Sequence, residues 1–142
     1  MIFVVDGSGS VGADNWLVQV EFLKDVVAAV GLESNDNRAA MVQYTIGDGD
    51  TITEFYFQDN VTEFGSLIDQ VVYSGGVTLT GEAINHARND VLPHARSDVQ
   101  VVMVVLTDGA SLDTVSEASA LVTGDGVKMV AVGVANYSAF EK

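Results

Sequence analysis

Apolar residues recur along this chain with two different periods. Met1-Ile2-Phe3-Val4-Val5 is a continuous apolar run and predicts a short buried strand. From Asn15 to Val30 the apolar positions are Trp16, Leu17, Val20, Leu23, Val26, Val27 and Val30, a helical spacing that Gly31 stops. Residues 39–45 predict a second strand. Thr51 to Phe57 alternates with β-formers and predicts a third, close enough across Gly47-Asp48-Gly49-Asp50 to form a hairpin. Thr62 to Val72 reads as a helix with Phe64, Leu67, Ile68, Val71 and Val72 on its apolar side. The loop Tyr73 to Gly81 then leads into a helix from Glu82 to about Leu92, stopped near Pro93. Val99 to Leu106, broken only by Gln100, predicts a central strand covered on both faces. Ser111 to about Val122 predicts a helix with Ser111 or Asp113 as its N-cap, Val127 to Val134 a last strand, and residues 137–142 the start of a helix that the chain does not finish.

Strands alternating with helices predict an α/β fold, a doubly wound, mostly parallel, Rossmann-like sheet with one antiparallel edge strand and helices on both faces. No repeat, linker or low-complexity segment interrupts the pattern, so residues 1–142 are expected to form a single domain. Sheets of this kind bind ligands outside the carboxyl ends of their strands. The loops after Val5, Val72 and Leu106 are therefore the ones to inspect.

Composition narrows the function. Net charge is −14, from 6 basic and 20 acidic side chains, which argues against a nucleic-acid partner and against an anionic membrane surface. No apolar run reaches the ~18 residues of a membrane span, so no membrane insertion is expected. Cysteine is absent, which removes disulfides, thiolate metals and Cys nucleophiles. No signal peptide precedes the first strand, and Met1 abuts it directly, which points to an excised domain. Two glycosylation tripeptides, Asn60-Val61-Thr62 and Asn136-Tyr137-Ser138, suit a secreted protein, although such tripeptides arise often by chance.

The candidate chemistry sits in the three loops. Asp6-Gly7-Ser8-Gly9-Ser10 offers one carboxylate and two hydroxyls at alternate positions. The Gly75-Gly76 loop offers Thr78 and Thr80, and the turn after Leu106 offers Asp108. Such hard oxygens suit Mg²⁺, Mn²⁺ or Ca²⁺ rather than zinc or copper. Taken singly, each residue has a plainer role: helix capping for Ser8 and Ser10, an Asx turn for Asp108. Asp113 and Glu82 read as helix caps, Asp48 and Asp50 as a solvated turn, His86 and His94 as surface or helix-end residues, and Trp16 as core. Gly7 to Gly12 also matches the Gly-x-Gly-x-x-Gly dinucleotide fingerprint. Asp6 at its mouth opposes a pyrophosphate, however, and the acidic residue wanted about 20 positions on is missing from the end of the next strand. Phosphoryl transfer would need a second carboxylate in the first loop and a nearby Lys, and Lys24, Lys128 and Lys142 are all predicted elsewhere.

The motifs in order, Asp-x-Ser-x-Ser at Asp6–Ser10, Gly-Gly-x-Thr-x-Thr-Gly at Gly75–Gly81 and Leu-Thr-Asp-Gly at Leu106–Gly109, resemble a von Willebrand factor type A domain, the integrin I-like fold. The look is nearest to matrix members such as matrilins or collagen-associated domains. The resemblance implies a metal-ion-dependent adhesion site with Ser8, Ser10 and Thr78 as hydroxyl ligands and Asp6 and Asp108 as carboxylates, binding directly or through water. Thr80 would support the loop or its helix. A divalent cation, Mg²⁺ with Mn²⁺ or Ca²⁺ as alternatives, would take up the Glu or Asp of a protein ligand such as collagen or another matrix protein, outside the cell and without catalysis. A structural matrix-assembly module with an accessory metal is the alternative. The stretch Gly109 to Val127 has room for one helix only. The chain also stops at Lys142, where the family has a full C-terminal helix, so that helix is expected to be truncated.

Overall fold

Every residue from Ile2 to Asp6 is buried because this strand lies at the centre of a sheet with helices against both faces. The computed structural model describes residues 1–33, 36–44, 51–109 and 111–134. Its strands are β1 (Ile2–Asp6), β2 (Ala39–Tyr44), β3 (Thr51–Gln58), β4 (Val102–Thr107) and β5 (Lys128–Gly133), in the order β3-β2-β1-β4-β5. β1 runs parallel to β2 and β4, with Val4 opposite Val42 and Val105. β4 and β5 are also parallel, and only the edge pair β2–β3 is antiparallel. The fold is thus the α/β class that the alternation predicts.

Alternation along the strands divides the core in two. Ile2, Val4, Val42 and Val105 face α3 (Thr80–His86) and α4 (Val115–Gly124). Phe3, Val5, Met41 and Leu106 face α1 (Gly12–Val30) and α2 (Val61–Ile68). Phe64 of α2 is the hub of the second half. Its ring lies 6.0 Å from that of Phe3 and 5.2 Å from that of Phe55, both edge-on.

Element boundaries differ from the periodic reading where tertiary packing overrides it. On α1 the buried stripe is Trp16, Gln19, Val20, Leu23 and Val27, so Leu17, in period on paper, is 63% exposed. Helix α2 closes at Ile68, and Val72, expected on its apolar side, is 77% exposed. Asn60 supplies the cap of α2 by accepting from Glu63 N at 2.9 Å. Helix α3 starts earlier than expected. It relaxes into a π turn over Ala87–Val91 and a 3₁₀ turn over Leu92–His94, where Pro93 ends it. β4 begins at Val102, so Val99 to Val101 lie outside it, and Val102 and Val104 are only half-covered. The Gly47–Asp50 turn and the final helix start fall outside the described residues.

Phe64→Ala is expected to cost about 3–5 kcal/mol of stability, measured by urea denaturation, because it empties the contact between α2 and two strands.

Candidate functional site

The turn after β1 is drawn in from two sides. Gly7 N donates to Tyr44 O at 2.8 Å, which continues the β1–β2 ladder past Asp6. Gly75 N donates to Gly7 O at 3.0 Å and Gly9 N to Gly76 O at 2.9 Å, so two glycine-rich loops zip together. The Tyr73 hydroxyl adds a bond to Ser8 O at 2.9 Å. A Cβ at Gly7 would lie 2.3 Å from Gln43 Oε1. That amide cannot easily withdraw, since its Nε2 donates to Glu54 Oε1 at 2.7 Å and to Val72 O at 3.0 Å.

Asp6 is fully buried. Its backbone carbonyl accepts from Gln19 Nε2 at 2.9 Å. Its Oδ1 accepts from Ser8 N at 2.9 Å and its Oδ2 from Thr107 Oγ1 at 3.3 Å. Ser8 is equally buried and lies with its Oγ 3.0 Å from the Oγ of exposed Ser10. Thr78 is buried, and its carbonyl accepts from Leu112 N at 3.0 Å. Asp108 is half-buried and directly follows the Thr107 that holds Asp6, with Gly109 N donating to Thr107 Oγ1 at 3.1 Å. The segments carrying Asp6, Ser8, Ser10, Thr78 and Asp108 therefore meet at the carboxyl edge of the parallel strands.

No ion pair among the described residues reaches Asp6. A buried carboxylate without a countercharge is costly, and a cation placed beside it removes much of that cost. The hydroxyls of Ser8 and Ser10 complete a hard-oxygen donor set of the kind a divalent ion takes. Among the described residues no three His, Asp or Glu side chains cluster at ligand spacing, so an ion here would rest on two carboxylates and hydroxyls rather than on a carboxylate cage.

Three further residues shape the site without appearing in its motifs. Tyr44, buried on β2, donates to Leu106 O at 3.2 Å and accepts from Thr80 Oγ1 at 3.3 Å. Burial, and then the charge of Asp6, pushes its phenol well above its ordinary pKa, so it remains a neutral donor. Gln19 was visible as a polar residue inside the apolar stripe of α1. Asp113 does not cap its own helix, as expected from sequence. Its carboxylate accepts from Gly81 N at 3.0 Å and Glu82 N at 2.7 Å, in the first turn of α3. Ser111 Oγ donates to Asp113 at 2.5 Å and accepts from Thr80 N at 3.0 Å. Partial burial raises the Asp113 carboxyl, but the bonds from Ser111, Gly81 and Glu82 outweigh it and hold the group below its ordinary range. Glu82 supplies its N–H to this clamp rather than a cap. His86 and His94 bond Thr53 and the Asp90 carbonyl at the surface, while Asp48 and Asp50 lie outside the described residues.

The family model of the von Willebrand factor type A domain matches residues 1–141. Human cochlin is 35% identical over 136 residues, covering 94% of this chain and 24% of cochlin. The mouse collagen alpha-4(VI) chain is 31% identical over 134 residues, covering 93% of this chain and 6% of its own length. This chain thus spans only a small part of these relatives. Proximal thread matrix protein 1 from the mussel byssus, in a structure with a zinc-occupied MIDAS motif, is 30% identical with a TM-score of 0.81, over 93% of this chain and 34% of that one. Manganese-loaded TRAP protein of Plasmodium vivax, 17% identical, shares the fold with a TM-score of 0.79, over 95% of this chain and 56% of that one.

Gly81 separates the clamp from ordinary helix propensity. A Cβ there would lie 2.7 Å from Thr114 O and 2.9 Å from Asp113 Oδ2. Gly81→Ala is therefore expected to destabilise by about 1–3 kcal/mol in chemical denaturation, against the gain of about 1 kcal/mol usual inside a helix. Asp113→Ala is expected to cost about 1–2 kcal/mol at pH 7. Because the folded carboxyl is held low, its contribution is present above the ordinary carboxylate pKa and is lost as pH falls through the folded value. The stability gap between wild type and variant should close on acidification.

Proposed function

The chain belongs to the von Willebrand factor type A domain family, and from that premise we propose that residues 1–142 are one non-catalytic protein-binding module of the adhesion or matrix kind. The observation that carries the reading is Asp6, a fully buried carboxylate that no ion pair among the described residues reaches, set beside the Ser8 and Ser10 hydroxyls. Asp6, Ser8, Ser10, Thr78 and Asp108 would hold a divalent cation, Mg²⁺ first, with Mn²⁺ or Ca²⁺ as alternatives. Bound there, the ion supplies a positive acceptor for a Glu or Asp carboxylate of a protein partner.

The chain's own residues do the positioning. Ser8 N and Thr107 Oγ1 fix the two Asp6 oxygens, and Gln19 fixes its backbone. Exposed Ser10 and Gly9 open the edge to a partner, and the exposed side chains of Val77 and Leu112 offer apolar contact beside the Thr78 loop. The −14 charge repels an acidic ligand at long range, but salt screens that beyond about 10 Å. A partner with basic surroundings around its key acid fits best. Among the described lysines, Lys24 pairs with Glu21 and Asp69, and Lys128 begins β5 at the opposite edge, which weighs against phosphoryl transfer. Likeness to a collagen chain and to a byssal thread matrix protein favours an extracellular location and a matrix partner, collagen or another matrix protein.

Calorimetry with Mn²⁺ and Mg²⁺ tests the metal. Wild type is expected to bind and, at a hundredfold excess over Kd, to gain about 2.7 kcal/mol of stability, while Asp6→Ala gains none. Equal affinity in the two proteins would refute the site. In a pull-down from matrix extract, a chelator is expected to abolish partner capture. Capture that survives it would favour the assembly module with an accessory metal.

A further inference from the structure

We propose that Asn60 is an N-glycosylation site, at the sheet edge opposite the candidate metal centre. Asn60-Val61-Thr62 has the acceptor pattern with a non-proline middle residue. The tripeptide alone carries little weight, but its placement carries more. β3 is antiparallel to β2, so Gln58 at its end pairs with Ala39 at the start of β2. Asn60 follows at that same edge, whereas Asp6 closes β1 at the other. The strands between them, at roughly 3.3 Å per residue, hold the two edges on the order of 17 Å apart. A sugar on Asn60 therefore leaves the candidate metal centre open.

The side chain divides its work between its two polar atoms. Oδ1 accepts from Glu63 N at 2.9 Å and caps α2. Nδ2, the atom that would be modified, donates to the Glu33 carboxylate at the surface. Asn60 is half-exposed, and Asp59, Thr62 and Glu63 around it are exposed. In the transfer, a bond forms from Nδ2 to C1 of the incoming sugar. The C1–O bond to a lipid-linked diphosphate breaks, the diphosphate leaves with its lipid, and Nδ2 gives up one proton. The product keeps Oδ1 and one N–H, so the cap of α2 survives the modification.

The position also suits the sheet. β3 is an edge strand, with Ile52 exposed along it, and unpaired edges invite pairing with other chains. A bulky hydrophilic group at the end of that strand blocks such an approach.

The inference rests on the extracellular part of the proposed function, and its test separates the two. The 142-residue chain is secreted from mammalian cells behind a cleavable signal and mapped by mass spectrometry before and after treatment with a glycan-releasing amidase. The Asn60 peptide is expected to carry a glycan in wild type and none in Thr62→Ala or Asn60→Asp. Asn60→Asp is expected to keep the unfolding temperature of the unglycosylated Thr62→Ala chain, because a carboxylate caps α2 as well as the amide. Translation in vitro with microsomes reads acceptor use directly where a variant fails to be secreted. An unmodified Asn60 in both systems overturns the proposal, whatever Asn136 carries. A sugar present in these systems but missing from the native protein would overturn the extracellular location and leave the acceptor intact.

Discussion

A carboxylate removed from water, which no ion pair among the described residues reaches, is the constraint on which one end of this molecule depends. Burying Asp6 as a carboxylate costs several kcal/mol, and the hydrogen bonds from Ser8 N and Thr107 Oγ1 act against that cost. The surroundings follow from that cost. Gly7 must lack a side chain so that Gln43 can pack beneath the turn, and Gln19 must be polar inside an apolar stripe so that the Asp6 carbonyl is held. The apolar strands on either side give those loops a rigid base.

Much of the architecture was legible because a strand buried on both faces writes itself as an unbroken apolar run, as Ile2–Val5 does, and because α1 repeats its stripe over several turns. Boundaries were less so. Val72 continues the helical period of α2 after the chain has left the helix, and Leu17 keeps the period of α1 while pointing away from the sheet. The candidate ligand segments could be found since each motif is local. Tyr44 could not be assigned its place from sequence, since its partner Leu106 is 62 residues away. Asp113 misled for the same reason: acid at a helix start is a local rule, and the residue caps a helix more than 30 positions earlier.

Charge is spread so that the carboxyl edge stays acidic. Among the described cations, Lys24, Arg88 and Arg96 are taken up in surface pairs with Asp69, Asp125 and Asp36. Exposed pairs of this kind contribute little to stability, typically under about 1 kcal/mol each. Their effect is on the field: they neutralise Asp69, Asp125 and Asp36, and none of these three pairs involves Asp6.

The Asp113 clamp bears on how this fold can vary. Loops joining a strand to a helix usually tolerate insertions, because lengthening them costs little entropy. Here the stretch from Thr107 to Asp113 is a measured span. It must leave the sheet beside Asp6, pass the Thr78 carbonyl through Leu112, and still deliver a carboxylate to the first turn of α3. Added residues inside that span would uncouple two of the three loops, whereas the exposed turn at Asp125-Gly126 bears no such bond to them. Diversification by loop length is thus channelled away from the edge that holds the hydroxyls and carboxylates, leaving substitution at exposed positions such as Val77 and Leu112 as the route to a new specificity.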